Sequence, residues 1–328
     1  MRISNIQSYN TFLQQIKTKQ KEIAKYTDQL TSGKRILSPS EDMVAIAKSL
    51  KMRQTNKEID NFLNNITDVR NRQETAENAI SNIYETAQDA RVEIVRLLNH
   101  GVLDFEDAQI VDDYLQGLKK YIIEQANTQY GDVHLFAGTK SDSKAFESVQ
   151  ATNGKTYDGI YGGNEEVQKV PISKGYGDGY EVDATFNGAE ALGTLVPLVD
   201  ENNNPIVDSN GNQLKQLKIV KLIDDIHSAI QNGDLTQIDE SILNDFDEEM
   251  KKIDSTRAKI GNQLKTMDKF EEQYNTFKTS YNEMISSLED TDIAEVITKL
   301  EQSKVAYEAS TAVFNQNKDL SLLKYFAA

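Results

Sequence analysis

The sequence predicts a mainly α-helical fold, in which both chain ends form a long antiparallel helical bundle or coiled coil around a small inserted β domain. Glycine and proline are unevenly distributed: most of the 17 glycines and three of the 4 prolines lie between Gly138 and Gly211. Neither residue type occurs between Pro39 and Gly101, or after Gly261. Apolar residues in these two arms recur with the heptad spacing of a coiled coil. Long helical arms are therefore expected to flank a segment rich in turns.

Heptad series along the two arms predict which helix faces pack together. On the first arm the two series, offset by three residues, are Met52, Ile59, Ile66, Gln73, Ile80, Ala87 and Ile94, and Thr55, Phe62, Val69, Ala76, Ile83, Ala90 and Leu97. On the second arm one series is strong: Phe246, Ile253, Ile260, Met267, Tyr274, Tyr281 and Leu288. Its companion series is half polar, so we expect a narrower seam on this arm.

Two shorter helices complete a predicted four-helix bundle, which we assign to residues 41–138 and 215–285. One helix, at about 106–129, carries Ile110, Tyr114, Leu118, Tyr121 and Ile122. The other, at about 215–231, carries Leu222, Ile223, Ile226 and Ile230. Between them, residues 139–214 contain short apolar runs such as "VQKVPI" and "YEVDATF", separated by Gly and Asn clusters. This pattern predicts an inserted antiparallel β domain on the surface.

The two chain ends, residues 1–40 and 286–328, form a predicted terminal domain of paired helices. Each end carries one apolar stripe, and each stripe needs a partner helix to cover it. The stripes lack Trp and follow heptads, which favours helix partners over a membrane surface. We predict that these stripes also form the interface between subunits. The predicted interface residues are Ile6, Leu13, Ile16, Ile23, Leu30, Ile293, Leu300, Tyr307, Phe314 and Leu320.

The stretch "LTSGKRILSPSEDMVAIAKSL", residues 30–50, interrupts helical sequence for about seven residues and predicts a joint between domains. Gly33 is placed to end the first helix in the left-handed conformation, and Lys34 and Arg35 suit the negative end of its dipole. Ser38 as N-cap, Pro39 at the first helical position and Glu41 at the third form a capping box. The predicted joint residues are Gly33, Lys34, Arg35, Ser38, Pro39, Ser40 and Glu41.

The composition argues against several classes of function. A net charge of −16 is unfavourable for nucleic-acid binding. No apolar run is long enough to span a membrane. The opening "MRISNIQSYN" has no apolar core of a secretory signal, so we expect no cleaved signal peptide. The absence of cysteine excludes disulfides and thiolate chemistry.

No group of residues predicts catalysis, so we expect that the protein is not an enzyme. His100, His134 and His227 lie far apart in the sequence, and we interpret them as satisfied side chains. Two Asn-rich loops that start at Asp200 and Asp208 resemble calcium loops, but both lack the glycine that an EF-hand needs at its sixth position. We interpret them as Asx-rich turns. We therefore predict no metal site and no cofactor.

Several segments together resemble the bacterial flagellin superfamily. They are the opening "MRISN", the joint stretch "LTSGKRILSPSEDMVAIAKSLKMR", the segment "ANTQYGDVHLFAGTKSDSKAFE", and the end "SSLEDTDIAEVITKLEQSKVAYEASTAVFNQNKDLSLLKYF". Met43 stands where the superfamily commonly has Pro, and His134 replaces an aromatic residue. "MRISN" and "LFAG" favour the hook–filament junction branch of the superfamily over flagellin itself.

The resemblance implies an extracellular structural subunit of the flagellum, exported unfolded through the type III channel. It implies partners: copies of the same chain in a ring, the first junction protein on the hook side, flagellin, and a cytoplasmic export chaperone. From the charge and hydropathy described above, we expect no nucleic-acid or membrane partner. The joint would then connect an inner tube of helices to an outer bundle. Two alternatives stay open: a short flagellin, and an exported coiled-coil adhesin unrelated to flagella.

Overall fold

A computed structural model describes residues 2–98, 105–175, 179–200 and 203–326, with side chains left undescribed at 2–6, 8, 9 and 317–326. Helices dominate these residues. The α-helices are α1 (Arg2–Ser32), α2 (Met43–Leu98), α3 (Phe105–Gln125), α4 (Gly188–Ala191), α5 (Lys218–Gln231), α6 (Glu240–Glu289) and α7 (Ile293–Phe326). A short 3-10 helix, Leu235–Gln237, precedes α6. The predicted fold class, long helices from both ends with a small inserted β region, is confirmed.

The chain divides into two compact units. The first unit joins residues up to Ile59 with residues from Asn275 onward, and the second unit is Asp60–Tyr274. Each of the long helices α2 and α6 therefore contributes to both units. The domain limits predicted at residues 40 and 286 stay a prediction about the functional division of the chain.

The core of the second unit follows the predicted heptads. In α2 the buried residues include Ile66, Val69, Ala76, Ile80, Ile83, Ala87, Ala90, Ile94 and Leu97, and in α6 they include Phe246, Ile253, Ile260 and Met267. Gln73, the polar member of the first series, is also buried, and its amide donates a 2.8 Å hydrogen bond to the carbonyl of Asp183. The heptad pattern therefore indicated the packed faces of both long helices correctly.

The two shorter helices differ in how well the sequence indicated their packing. Helix α5 buries Leu222, Ile223, Ile226 and Ile230, as predicted. Helix α3 instead leaves most of its predicted stripe outside: Ile110, Tyr114 and Tyr121 are exposed, and Leu118 is only partly buried. The residues that α3 buries are Ala108, Val111, Asp112, Leu115, Lys119 and Ile122. Lys119 is accommodated because its ammonium lies 2.7 Å from Asp224 of α5.

Eight short strands follow α3 among the described residues, and all their pairings are antiparallel, as predicted. They are β1 (Gln129–Tyr130), β2 (Val133–His134), β3 (Phe146–Gln150), β4 (Thr156–Tyr161), β5 (Lys169–Pro171), β6 (Glu181–Asp183), β7 (Leu195–Pro197) and β8 (Lys215–Leu217). The largest sheet has the order β3-β4-β8-β7, while β1 pairs with β2 and β5 with β6. The "LFAG" segment follows β2 and buries Leu135, Phe136 and Ala137 completely.

An eight-residue repeat lies between β7 and β8. "LVDENNNP" and "IVDSNGNQ" begin at Leu198 and Ile206, and these two residues share a small apolar cluster with Leu214. In both repeats an aspartate turns the chain; the Asp208 carboxylate accepts the backbone N–H of Asn212 at 2.8 Å. That hydrogen bond lowers the pKa of Asp208. The interpretation of these loops as Asx turns is confirmed.

Candidate functional site: the paired connectors of the first unit

The two breaks between long helices lie side by side in the first unit. One connector, residues 33–42, joins α1 to α2; the other, residues 290–292, joins α6 to α7. They form an antiparallel bridge between Lys34 and Asp290. The N–H of Thr291 donates to the carbonyl of Gly33 at 3.0 Å, and the N–H of Arg35 donates to the carbonyl of Glu289 at 2.6 Å. The joint therefore consists of two chain segments, which we call the paired connectors.

Glu289, the last residue of α6, is the main acceptor of the paired connectors. Its side chain is only 14% exposed and lies 2.7 Å from the guanidinium of Arg53 and 3.5 Å from the ammonium of Lys34. It also accepts a hydrogen bond from the hydroxyl of the buried Ser49. The bond from Arg53, followed by that from Ser49, lowers the pKa of Glu289. One carboxylate thus joins the connector, α2 and α6.

A second ion pair and a charged cap strengthen the same contact. The Lys34 ammonium lies 2.5 Å from the Asp290 carboxylate. This hydrogen bond raises the pKa of Lys34 and lowers that of Asp290. The guanidinium of Arg35 donates to the carbonyl of Leu288 at 2.7 Å, at the end of α6. Lys34 and Arg35 were predicted to serve the end of α1, and the structure shows that they also bind the end of α6.

Gly33 ends α1 as the sequence predicted. Its φ of +68° lies in the left-handed region, which side chains with a Cβ adopt only under strain. A Cβ built there would meet no atom within 4 Å, so the backbone conformation alone requires glycine.

The second half of the predicted joint is wrong in its details. Helix α2 begins at Met43, not at Pro39, and its N-cap is Asp42, whose carboxylate accepts the N–H of Ala45 at 3.0 Å. Residues 38–41 form a turn, in which the N–H of Glu41 donates to the carbonyl of Ser38 at 3.0 Å. The Glu41 carboxylate reaches back to the N–H of Leu37 at 3.1 Å. Ser and Asp both cap well, and the later one begins the helix because Pro39 already occupies the turn.

Beyond the joint, α1 and α7 pack against each other, so the predicted pairing of the chain ends is confirmed. Leu13, Ile16, Ile23, Leu30, Tyr307 and Phe314 are half-buried, Leu300 is buried and Ile293 is exposed, while the Ile6 and Leu320 side chains lie outside the described residues. The amide of Gln20 donates to the hydroxyl of Tyr307 at 3.1 Å across the pair. Whether these residues also contact a neighbouring subunit stays a prediction.

Several apolar side chains of α7 remain exposed in the described part of the chain. Ile297, Val305 and Val313 are exposed there, and Val305 is 65% exposed. A single helix pair can bury only one face of each helix, so these side chains have no cover within the part of the chain that is described. These exposed apolar side chains offer contact area to another chain.

The described residues contain no group that points to catalysis or metal binding. No set of three or more His, Asp or Glu side chains is placed to hold a metal ion there. His134 contacts Gln129, and Nδ1 of His227 lies 2.8 Å from the carboxylate of Asp112, so both have partners, as predicted. His100 lies outside the described residues. None of the described helices has the length and hydropathy that a membrane span requires.

Comparison with known proteins links this arrangement to one superfamily. Residues 3–141 match the bacterial flagellin N-terminal helical region, and residues 243–326 match the bacterial flagellin C-terminal helical region. The two matches together cover about two thirds of the chain and include both connectors. The chain is also 23% identical over 326 residues to flagellar hook-associated protein 3 of Escherichia coli K12, covering 99% of both proteins.

Two solved structures share the fold. A protein described as a flagellar hook-associated protein from Vibrio parahaemolyticus is 19% identical with a TM-score of 0.59, covering 76% of this chain and 100% of that one. The flagellar junction protein of Legionella pneumophila is 14% identical with a TM-score of 0.52, covering 73% of this chain and 100% of that one.

Proposed function

The chain belongs to the bacterial flagellin superfamily, and we propose that it is an assembling structural subunit of the flagellum at the junction between hook and filament. The observation that carries this proposal is the pairing of the two chain ends, with the connectors joined by Lys34, Glu289 and Asp290. The full-length match to a hook-associated protein supports the junction over the filament. The order of segments along the whole chain is the same in both proteins.

The paired connectors give the terminal helices a defined place to change direction. Both helix breaks occur at the same level of the first unit, and the bridge between Lys34 and Asp290 ties them together. The helix pair α1–α7 would then reorient as one body, since neither connector can move without the other. A subunit between a bending hook and a stiff filament needs such a joint.

We propose that neighbouring subunits cover the open face of the helix pair. The predicted interface residues Leu13, Ile16, Ile23 and Leu30 are only half-buried against α7, and Val305 remains exposed. Apolar side chains gain stability when they leave water, so a ring of copies would complete the burial that one copy lacks. Ile293, Leu300, Tyr307 and Phe314 would contribute from the other helix.

The remaining partners follow from position in the flagellum and from export. On the hook side the subunit would contact the first junction protein, and on the distal side it would contact flagellin. We propose export in an unfolded state through the flagellar type III channel, without a cleaved signal, and a cytoplasmic chaperone that covers the C-terminal helix before export. A chain without cysteine suits that route, because it cannot form disulfides on reaching an oxidising environment.

The test is seeded assembly. Purified chain is added to isolated hooks that carry the first junction protein and, separately, to short flagellin seeds, and the products are measured by electron microscopy. We expect a single short zone at the hook tip that nucleates flagellin but does not extend itself. Long filaments grown from the chain alone would identify a flagellin instead. No binding to either, under conditions in which control flagellin polymerises, would favour the adhesin.

A further inference from the structure

An apolar stripe faces outward along α3. Ile110 is 67% exposed, Tyr114 is 48% exposed and Tyr121 is 42% exposed. Their spacing of four and seven residues puts them on one face of the helix, with Gly117 between Tyr114 and Tyr121. We call Ile110, Tyr114, Gly117 and Tyr121 the outer stripe. None of them belongs to the residues with which α3 packs into the second unit.

Nothing among the described residues explains the glycine at position 117. It lies in the middle of a helix, where glycine is less favourable than alanine. A Cβ at this position would meet no atom within 4 Å, and Gly117 does not have a positive φ. The notch that it leaves in the outer stripe is useful only if another backbone approaches closely there.

Acidic side chains border the outer stripe on one side. Glu106, Asp113 and Glu124 are exposed and lie three or four residues from a member of the stripe, which places them beside it. None of the three has an ion-pair partner in the described part of the chain. Lys120 is the single basic residue on this border, so the border is acidic overall.

The start of α2 presents the complementary surface. Met43 is 72% exposed and Leu50 is 61% exposed, and with Ala47 they form a second outward apolar column at spacings of four and three residues. Lys51 borders this column one turn after Ala47, and Lys48 lies one turn before Lys51, further round the helix; both lysines are exposed. Neither lysine has an ion-pair partner among the residues that the structure describes. We call Met43, Ala47, Leu50, Lys48 and Lys51 the basic face.

We propose that the outer stripe of α3 in one copy docks on the basic face at the start of α2 in a second copy. The apolar residues of the outer stripe contact the apolar residues of the basic face. Glu106 and Asp113 then lie opposite Lys48 and Lys51. Opposite charges along the border set the register and disfavour contact between two outer stripes, which would repel each other. The inference rests on the proposed function only in that copies assemble.

The occupant is a second copy because this chain carries both halves of the pair. A copy that uses its outer stripe on one neighbour still has its basic face free for another. Contacts of this head-to-tail kind generate rings or helical arrays rather than closed dimers. The outer stripe extends over about 16 Å, at about 1.5 Å per residue, which is enough for a helix-on-helix contact.

Cross-linking between copies tests the pairing directly, because the chain has no cysteine of its own. Full-length Leu50→Cys and Tyr114→Cys variants are prepared separately, mixed at assembling concentration and treated with a short bis-maleimide. We expect the mixture to give at least tenfold more cross-linked dimer than either variant alone. The control replaces Leu50→Cys with Lys155→Cys, which is exposed on the β3–β4 turn and should give only background.

Charge reversal separates docking from chance proximity. In the cross-linking background, Glu106→Lys with Asp113→Lys should lower the yield about tenfold, and so should Lys48→Glu with Lys51→Glu, because like charges then face each other. When the lysine substitutions are placed in the Tyr114→Cys partner and the glutamate substitutions in the Leu50→Cys partner, the yield should return to within about threefold of the starting pair. All these positions are exposed, so each variant should fold, which a circular dichroism melt verifies.

The outcomes separate this inference from the proposed function. A cross-link confined to the Tyr114→Cys variant alone, a yield equal to the Lys155→Cys control, or no rescue by combined reversal would overturn the docking pair. If wild-type chain still adds a short zone to hooks in that case, the proposed function stands while the inference falls. A specific, charge-dependent cross-link without any binding to hooks would support the docking and contradict the junction role.

Discussion

The two units of the chain bury their apolar residues very differently. In the second unit the central residues of the long helices, such as Ile80 and Phe246, are fully buried. In the first unit the α1 side of the helix pair reaches only partial burial, as at Ile16, while Met43 and Val305 are 72% and 65% exposed. The second unit thus has a complete core of its own. The first unit leaves apolar side chains exposed among its described residues.

This difference indicates which apolar residues stabilise the folded monomer and which are available to stabilise an assembly. Full burial of one Val, Leu, Ile or Met side chain contributes about 1.5–3 kcal/mol. The second unit gains this burial free energy within one copy, so it should fold in dilute solution. If neighbouring subunits cover the exposed residues of the first unit, as proposed, its stability should depend on the concentration of subunits.

The largest expected effect compares one isoleucine from each unit. Ile80→Ala removes a fully buried side chain and should lower the free energy of unfolding of the monomer by about 2–5 kcal/mol. Ile16→Ala removes a half-buried one and should cost the monomer about 1 kcal/mol or less, because solvent already reaches the site. Urea unfolding of both variants at low concentration measures the difference.

Assembly should depend strongly on Ile16, although the stability of the monomer does not. Incorporation into seeded zones at the hook should fall far more for Ile16→Ala than for a control substitution on the exposed side of α6, Glu283→Ala. Equal losses of monomer stability for Ile16→Ala and Ile80→Ala would contradict the comparison, since the first unit would then have a closed core.

The next effect concerns the paired connectors, which add a cluster of ion pairs to the first unit. Glu289→Ala removes the acceptor of Arg53, Ser49 and Lys34. We expect a loss of about 1–3 kcal/mol, since hydrogen bonds to charged groups are worth that much each and the partners are partly solvated. Amide exchange of α1 and α7 should accelerate, while exchange in α2 beyond residue 66 should not change.

A matched variant tells charge from packing at this position. Glu289→Gln keeps the size and one acceptor but removes the negative charge. Its free energy of unfolding should therefore lie between that of wild type and that of Glu289→Ala. If exchange in α1 and α7 is unaffected by Glu289→Ala, the connectors are held by their backbone bridge alone, and the side-chain contacts are incidental.

The connectors should also make the first unit sensitive to acid. Glu289 and Asp290 have lowered pKa values, owing chiefly to Arg53 and Lys34. Their contribution is complete above the ordinary carboxyl pKa of about 4 and is lost as the pH falls through the lowered values. Lys34, with its raised pKa, behaves oppositely: its contribution is complete below the ordinary lysine value and is lost as the pH rises through the raised one. Between these limits the paired connectors are fully charged.

A pH series of amide exchange checks this window. In wild type, protection of α1 and α7 should decrease below about pH 4, and Glu289→Gln should flatten much of that decrease. An identical acid profile in wild type and Glu289→Gln would show that other carboxylates govern the transition.

The sequence predicted what depends on local periodicity and missed what depends on distant partners. The heptads of α2 and α6 were sufficient because a fully buried stripe leaves a regular pattern. The pairing of Lys34 with Asp290 was missed because these residues are far apart in the chain and neither has a local signature. Two good caps, Ser38 and Asp42, lie four residues apart, so local rules could not choose between them.

The outward face of α3 marks a different limit. Ile110, Tyr114 and Tyr121 have the spacing of a core stripe. Periodicity shows that a helix face is apolar, but it does not show what covers that face. The structure places Lys119 inside instead, paired with Asp224. An apolar stripe that one chain leaves open is what a surface for another copy would look like.

The smallest expected effect is also the sharpest, because its sign should differ between folding and assembly. Gly117→Ala should raise the free energy of unfolding of the monomer by up to about 1 kcal/mol, since alanine is the better helix former and its Cβ meets nothing. The same methyl group would fill the notch in the outer stripe and should lower the yield of the Leu50→Cys and Tyr114→Cys cross-link several-fold. Gly261, another helix-interior glycine with open space, provides the control: Gly261→Ala should stabilise the monomer similarly and leave that cross-link unchanged. If Gly117→Ala raised stability and left the cross-link yield unchanged, Gly117 would be an ordinary suboptimal helix residue, and close approach of a second backbone at this position would be ruled out.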